Sequence, residues 1–305
     1  MAETASTAST QGVTVRAPAK VNVSLDLLGK RCDGYHELRT TMVTLGVCDT
    51  VRLSSRDDAS VKLRLLGAAP LVTGVPTDDT NLVIRAVKAL RYDTNVTRGA
   101  TIDLVKRTPS QAGLGGGSSD AAAALVAGNR VWGLGLSTDR LAEIGATLGS
   151  DIPFFVHAIS DRRCRAALAT GRGERVTPLA GVAATPCVVV KPTRGLSTSA
   201  VYAAVEPRDL TPDSDSSAAI AALGSGRPSA LAAAVRNGLA AAARRVAPWI
   251  DDVLRGLRDL GCLAASLSGS GSACFAVAAS HRHARRVAAT LRARGHGWAI
   301  ATRFG

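Results

Sequence analysis

A glycine-rich stretch, residues 109–120 with the sequence PSQAGLGGGSSD, has the composition that points most directly to chemistry. Four of five consecutive positions in it are glycine, which disfavours a helix or strand interior because glycine loses the most backbone freedom there. Ala100–Lys106 before it alternates like a strand, and Ala121–Trp132 after it predicts a buried helix. Candidates for the N-cap of that helix are Ser118, Ser119 and Asp120. Backbone N–H groups of such a turn and helix start can bind an anion, most simply a phosphate. An ordinary flexible loop is the less favoured alternative.

The stretch differs from the two best-known phosphate-binding loops. No Gly-Lys-Ser/Thr follows the glycines, so the lysine of a Walker A loop is missing. The glycine spacing and the lack of an early βαβ unit argue against a dinucleotide-binding fingerprint. Any lysine at the phosphate must therefore come from elsewhere in a chain that has few of them. The lysines are Lys20, Lys30, Lys62, Lys88, Lys106 and Lys191.

Two further segments carry small or polar residues in a suggestive pattern. Val13–Leu27 alternates apolar and polar residues, which predicts a strand with one buried face, and Pro18 predicts a break or bulge in it. Its polar face carries Lys20, Asn22, Ser24 and Asp26, for which plain solvent exposure is the commoner interpretation. Ser268–Ser272 is a second small-residue loop, between predicted strands at Leu263–Leu267 and Cys274–Ala278.

The remaining elements predict the fold class that positions these segments. Further strands are predicted at Leu38–Val47, Thr50–Ser54, Val61–Leu66, Arg163–Thr170, Arg175–Leu179, Cys187–Lys191 and Gly297–Arg303. Helices are predicted at Asn81–Tyr92 with Asp79 or Thr80 as its cap, Ser137–Leu148, Thr198–Val205, His281–Arg294 and, with interruptions, Ser217–Leu260. Runs of strands and runs of helices without strict alternation predict an α+β fold with largely antiparallel sheets. We expect a disordered tail at 1–11 and two domains, 12–161 and 162–305.

Composition narrows the class of protein. The 305 residues carry a formal charge of +13 and are 46% hydrophobic, so a globular protein with an anionic ligand is expected. No apolar run is long enough to span a bilayer, and the start is no secretory signal. Six scattered cysteines without metal or redox spacing indicate reduced thiols and a cytoplasmic location. Aromatic residues make up only 3%, which disfavours nucleic-acid binding, and His281–Arg294 is interpreted as a helix with a solvated basic face.

Three of these segments, in this order, resemble the signature motifs of the GHMP kinases. The matching segments are Ala17–Asn22, Pro109–Ala122 and Ser268–Phe275. Two others, Asp33–Leu38 and Gly149–Phe154, resemble the branch of the family whose acceptor is 4-diphosphocytidyl-2-C-methyl-D-erythritol. The resemblance implies two α+β domains with the site in the cleft between them, and phosphorylation of the 2-hydroxyl of that acceptor. It also implies ATP with Mg²⁺, in a monomer or weak homodimer.

The resemblance implies roles for individual residues. Asp151 would be the catalytic base and Lys20 its partner, which keeps the carboxylate ionised, whereas the residues alone favour a turn or cap role for Asp151. Residues implied at ATP are Asn81, Lys106, Pro109, Ser110, Gln111, Ala112, Gly113, Leu114, Gly115, Gly116, Gly117, Ser118 and Ser119. Residues implied at the acceptor are Asn22, Tyr35, His36, Thr198, Tyr202, Gly269 and Ser270, with Tyr35 and His36 at the cytosine. Core packing is an equal alternative for Tyr202, and an ordinary strand-end charge is an alternative for Lys106.

No dedicated carboxylate cage for a metal is evident, and Ser119 is a weak metal-contact candidate. Two other functions stay open on the sequence. One is a related kinase acting on homoserine or mevalonate, against which the Tyr35-His36 segment argues. The other is a non-catalytic nucleotide- or RNA-binding protein, against which the presence of both Lys20 and Asp151 argues.

Overall fold

The computed structural model describes residues 12–305, which form eleven strands and eleven helices. The strands are β1 Val13–Lys30, β2 His36–Arg56, β3 Val61–Gly67, β4 Gly99–Lys106, β5 Ala166–Gly171, β6 Arg175–Leu179, β7 Thr185–Lys191, β8 Arg236–Asn237, β9 Ala264–Leu267, β10 Cys274–Val277 and β11 Trp298–Phe304. The helices are α1 Ala69–Val72, α2 Leu82–Thr94, α3 Gly116–Val131, α4 Thr138–Ala146, α5 Ile152–Ser160, α6 Thr198–Ala203, α7 Ser217–Ser225, α8 Pro228–Ala234, α9 Ala240–Val246, α10 Ile250–Asp259 and α11 His281–Ala293. The predicted tail, 1–11, lies outside the described residues.

The sheet is organised around the long antiparallel pair of β1 and β2. Its main path runs β3-β4-β2-β11-β7-β10-β9, and the β5–β6 hairpin pairs with β2. Among the described strands only the β3–β4 and β1–β8 pairs are parallel. The predicted α+β fold with a largely antiparallel sheet is therefore confirmed. The division at 161/162 stays a prediction.

The polar face of β1 is buried rather than exposed to solvent. Lys20 is 5% exposed, Asn22 3% and Ser24 0%, because both faces of the strand are covered. The register shifts between Pro18 and Lys20, which confirms the predicted irregularity at the proline. The row therefore lies inside the molecule, where each polar group needs a partner.

Helix α3 begins earlier than predicted. Gly115 is its N-cap, with φ +67°, and Gly116 and Gly117 form the first turn. The prediction that Ser118, Ser119 or Asp120 caps the helix is wrong, because these residues are already inside it. The Asp120 carboxylate instead accepts a hydrogen bond from the buried ammonium of Lys106, below the start of the helix.

Three other boundaries differ from the prediction. The strands predicted at Leu38–Val47 and Thr50–Ser54 are one strand, β2, because β1, β4 and β5 supply pairing partners along its length. Asn81, not Asp79 or Thr80, caps α2 by accepting a hydrogen bond from the N–H of Val83 at 2.8 Å. Helix α5, which has Asp151 at its start, and the short elements α1 and β8 were not predicted.

A buried ion cluster supports the start of α3. The ammonium of Lys106, 3% exposed, donates to Asp120 at 2.7 Å and also to Asp49. Asp49 accepts further hydrogen bonds from the backbone N–H groups of Arg107 and Thr108. Burial, with the nearby Asp49, raises the pKa of Asp120 above its usual range, and Lys106 works against that rise. Burial works against the charge of Lys106, but the two carboxylates outweigh it and raise the pKa of the ammonium.

Replacing Lys106 by Met should lower the free energy of unfolding by about 3–5 kcal/mol, because two buried carboxylates lose their cation. The matched control is Arg64→Met, which breaks the pair of an exposed arginine with Asp103 and should cost less than about 1 kcal/mol. Urea unfolding of both variants measures the difference. Equal, small losses would show that the buried cluster does not stabilise the fold.

Candidate active site

Backbone hydrogen bonds bring the three sequence motifs together. The N–H of Lys20 on β1 donates to the carbonyl of Leu114 at 2.9 Å. On the other side, the N–H of Ala273 donates to the carbonyl of Ala112 at 2.9 Å, and the Ser268 hydroxyl donates to the carbonyl of Gly113 at 2.8 Å. The glycine loop, 109–117, thus lies between β1 and the loop 268–272, as one site requires.

Two glycines in this loop could not be replaced without displacing a neighbour. Gly113 has φ +74°, and a Cβ there would lie 2.2 Å from the carbonyl oxygen of Ser268. Gly115 has φ +67°, and a Cβ there would lie 2.7 Å from the ring of Phe155 on α5. The loop leads directly into α3, whose first N–H groups have no partner within the helix. The loop thus combines positive φ values with a helix start, and the anion cradle stays a prediction.

Lys20 and Asp151 meet at this loop. The Lys20 ammonium lies 3.5 Å from the Asp151 carboxylate and donates to Asn22 Oδ1 at 2.8 Å. Asn22 in turn donates to the hydroxyl of Thr40 at 2.7 Å, so the row on β1 is held by its neighbour on β2. The lysine side chain is 6% exposed and that of Asp151 33%. The carboxylate therefore faces solvent while its cation is buried.

Asp151 occupies the N-cap position of α5, but its side chain makes no capping hydrogen bond. The simple cap role that the residues alone favoured is therefore absent. The carboxylate lies beside the Lys20 ammonium and is a third exposed. It is thus available to a group that enters from solvent.

Two adjoining cavities lie beside this carboxylate, and the smaller is lined by it. One, of 340 Å³, is lined by both charged residues and by the glycine loop. The other, of 790 Å³, lies beside α6 and the turn before β2. Residues lining both are Leu38, Ser150, Arg172, Thr198 and Tyr202. One elongated ligand could therefore occupy both cavities and reach Asp151.

Aromatic groups line the larger cavity. The rings of His36 and Tyr202 lie 5.6 Å apart at 32°, and the guanidinium of Arg172 lies 5.0 Å over the ring of Tyr35, which is 57% exposed. Burial and the nearby charge of Lys30 lower the pKa of His36, so its ring is neutral at pH 7, with one donor and one acceptor nitrogen. Burial and the charge of Asp151 raise the pKa of Tyr202 to about 12. The cavity therefore offers flat rings and a neutral hydrogen-bonding edge.

The chain matches two family models, described as the GHMP kinases N terminal domain over residues 81–158 and GHMP kinases C terminal over residues 219–297. It is 42% identical, over 85% of its length and 83% of the relative's, to the 4-diphosphocytidyl-2-C-methyl-D-erythritol kinase of Verminephrobacter eiseniae. It is 38% identical to the enzyme of that name from Pelotomaculum thermopropionicum, over 92% and 94% of the two chains. The chain belongs to the 4-diphosphocytidyl-2-C-methyl-D-erythritol kinase family of GHMP kinases.

Solved structures agree with this family. A crystal structure of 4-(cytidine 5'-diphospho)-2C-methyl-D-erythritol kinase superposes with a TM-score of 0.81 at 35% identity, covering 96% of this chain and 99% of that one. A homoserine kinase from Cytophaga hutchinsonii superposes with a TM-score of 0.70 at 18% identity, over 96% and 94% of the chains, which shows a shared fold. The predicted GHMP kinase resemblance and its narrower branch are confirmed.

The residues that the family resemblance implied at the acceptor do converge. Asn22, Thr198, Tyr202, Gly269 and Ser270 line the smaller cavity. The hydroxyls of Thr198 and Ser270 lie 2.9 Å apart, and the carbonyl of Gly269 accepts a hydrogen bond from Asn237 at 2.8 Å. The remaining two, Tyr35 and His36, line the larger cavity. Tyr202 also packs against the apolar cluster beside α9 and α10, and its contact with the acceptor stays a prediction.

Of the residues implied at ATP, only Gly113, Gly115 and Ser118 line either of the two cavities. Two of the others have side chains that bind elsewhere in the protein. The side chain of Asn81 is engaged at both ends, by the N–H of Val83 and by the carbonyl of Pro76. The ammonium of Lys106 is engaged by Asp49 and Asp120. Only the main chain of Lys106 is therefore free to contact adenosine. The roles of Asn81 and Lys106 at ATP stay predictions.

Sequence reasoning missed several residues that line or support this candidate site. Arg172 lines both cavities from the tip of the β5–β6 hairpin. A signal for it existed, because Gly171 and Gly173 flank the arginine, both with positive φ, as a tight hairpin turn requires. Thr40 and Asn237, which position Asn22 and the loop 268–272, carried no such signal.

Gly115→Ala should weaken binding of an ATP analogue at least about tenfold, because the new methyl group meets the Phe155 ring and forces the loop out of its conformation. Gly256→Ala is the matched control, since a Cβ there, in α10, meets nothing within 4 Å. Gly116, which has no positive φ, is a less decisive position than Gly115. Calorimetry on both folded variants measures their affinity for the ATP analogue. Equal affinities would contradict the prediction that the glycine loop binds the phosphates.

Proposed function

We propose that this protein transfers the γ-phosphate of ATP to the 2-hydroxyl of 4-diphosphocytidyl-2-C-methyl-D-erythritol, in the non-mevalonate route to isoprenoid precursors. The observation that carries the proposal is the continuity of two cavities of different chemistry. The smaller has a lysine, a carboxylate and a phosphate-type loop, and the larger has aromatic rings and a neutral histidine. A cytidine diphosphate ester with a polyol end has matching chemistry at its two ends.

In the proposed reaction, the acceptor hydroxyl lies at the Asp151 carboxylate, which takes its proton. The Lys20 ammonium, 3.5 Å away, stabilises the negative charge that develops on the hydroxyl oxygen. The triphosphate lies on the glycine loop, where backbone N–H groups bind its oxygens. Positioning and charge stabilisation, rather than covalent chemistry, provide the catalysis of phosphoryl transfer.

Mg²⁺ is proposed to arrive with ATP rather than in a protein cage. Among residues 12–305 no group of three His, Cys, Asp or Glu side chains could hold a metal ion. The site still offers oxygen ligands of the kind Mg²⁺ prefers, since the buried hydroxyl of Ser119 has no hydrogen-bond partner. When bound, the ion offsets charge on the phosphates. Ser119 would supply one oxygen ligand to it.

The larger cavity is proposed to hold the cytidine. The neutral His36 can donate to and accept from the edge of the base, while Tyr202 and Tyr35 offer ring faces. Arg172 lies where the two cavities join, which suits a diphosphate between the base and the polyol. Homoserine or mevalonate, the acceptors of the alternative kinases, would leave this cavity unused.

Location and assembly remain proposals. No helix within the described part of the chain, 12–305, is both long and apolar enough to cross a bilayer. We propose a cytoplasmic monomer or weak homodimer that acts on small molecules and does not bind nucleic acid.

The decisive experiment is a coupled ADP-release assay with three acceptors in parallel: the cytidyl-diphosphate methylerythritol, homoserine and mevalonate. Turnover with the first alone is expected. Turnover with one of the others alone would replace the proposed acceptor, and ATP binding without any turnover would favour a non-catalytic nucleotide-binding protein.

Asp151→Asn should lower kcat by ~10²–10⁴-fold, the usual effect of losing one general base, while affinity for ATP persists. The asparagine keeps the shape of the side chain but cannot accept the proton. Asp139→Asn is the matched control, because Asp139 is an exposed aspartate in the first turn of α4. Near wild-type kcat in the Asp151 variant would contradict the base assignment.

His36→Ala should weaken the cytidyl substrate by roughly 1–3 kcal/mol, the penalty for leaving buried polar base atoms unpaired. Affinity for ATP should barely change, because the nucleotide lies at the glycine loop. Measuring both affinities and the melting temperature of one variant separates recognition from stability. If both ligands weaken equally and the melting temperature falls, His36 has a structural role only.

A further inference from the structure

A third cavity, of 680 Å³, shares no lining residue with the two cavities of the candidate active site. It lies at the C-terminal end of α5, against β1 and the start of the segment that follows α5. Five arginines line it, contributed by β1, α3, the segment after α5 and β11: Arg16, Arg130, Arg162, Arg165 and Arg303. The cavity therefore collects five positive charges from distant parts of the chain, and Gly305, which carries the terminal carboxyl group, also lines it.

These guanidinium groups lack acidic partners. Within residues 12–305, none of the five lies within 4.0 Å of a carboxylate. The nearby acids are already engaged, since Asp161 binds Arg163 and Asp49 binds Lys106. Arg16 donates to the Cys48 thiol at 3.4 Å, and Arg165 donates to the carbonyl of Arg162 at 3.1 Å. Both contacts leave further N–H donors free.

A structural role explains the position of only one of these five arginines. Arg130 lies in the last turn of α3, where a cation is favoured by the helix dipole. No helix terminus explains the position of the other four arginines. Their like charges also repel one another, which opposes their gathering at one cavity. The basic surface also continues into a neighbouring cavity of 230 Å³, which shares Gly46 and Arg303 and adds His281 and Arg285. Part of the predicted solvated face of α11 thus belongs to it.

We propose that the arginine cavity binds a small anion with a diphosphate group, either free pyrophosphate or a diphosphate ester. Arginine presents a planar fork of N–H groups that matches phosphate oxygens, and five of them exceed what one phosphate needs. The hydroxyls of Thr14, Thr44 and Ser160 add neutral donors. Phe, Tyr and Trp are absent from the described lining residues, so the cavity has no ring face on which a base could stack. Its volume suits a small molecule.

The test is calorimetric titration of pyrophosphate into the full chain and three variants. Arg162→Gln and Arg303→Gln should each raise Kd by about tenfold, because each removes charged hydrogen bonds to the anion. Arg98→Gln, which removes the same charge from an exposed residue just before β4, should leave Kd unchanged. All three should keep the wild-type KM for ATP, since none of these residues lines the candidate active site.

Parallel titrations identify the source of the diphosphate. Tighter binding of pyrophosphate than of ethyl diphosphate supports a free anion, and the reverse supports an ester. The proposal is overturned if the Arg162 and Arg303 variants bind pyrophosphate like the Arg98 control, since the anion then lies elsewhere, for instance on the glycine loop. It is equally overturned if orthophosphate binds as tightly as pyrophosphate, or if only an RNA oligonucleotide binds.

Discussion

The close approach of backbone to backbone at the glycine loop is the constraint on which the site depends. Leu114 is held by β1 through the N–H of Lys20, and Ala112 is held by the loop 268–272 through the N–H of Ala273. Side chains at Gly113 or Gly115 would separate these layers. Segments that are about 90 and 160 residues from the loop in sequence therefore meet it only because the loop has no side chains where they touch.

The two buried lysines near the glycine loop have different carboxylate partners and different surroundings. Lys106 is neutralised by two carboxylates beneath α3, and its contribution is to hold the helix start in place. Lys20 has one carboxylate, Asp151, and that carboxylate is a third exposed. A fully paired lysine stabilises a fold, whereas a lysine beside a partly open carboxylate leaves room for a reacting group. Partner number and exposure, rather than residue type, distinguish the two.

The sequence predicted the fold class, the main elements and the convergence of Lys20, the glycine loop and residues 268–272, because these depend on local periodicity and on motifs in a set order. It did not predict the caps of α2 and α3, since competition among neighbouring Asp, Asn, Ser and Gly residues is decided by tertiary contacts. The partners of Lys106 are 57 and 14 residues away, and no local pattern encodes such a pairing. Arg172 was missed because its role depends on where the β5–β6 hairpin pairs with β2.

The contact of Gly115 with Phe155 has a consequence for how the donor and acceptor are spaced. Phe155 follows Asp151 by four residues on α5, and its N–H donates to the Asp151 carbonyl at 3.4 Å. Residues four apart lie on one face of a helix, about one turn or ~5.4 Å along its axis. The phosphate loop and the carboxylate therefore rest on the same helical turn. Because Phe155 and Asp151 belong to the same turn of α5, a shift of this helix would move the carboxylate and the ring under the loop together.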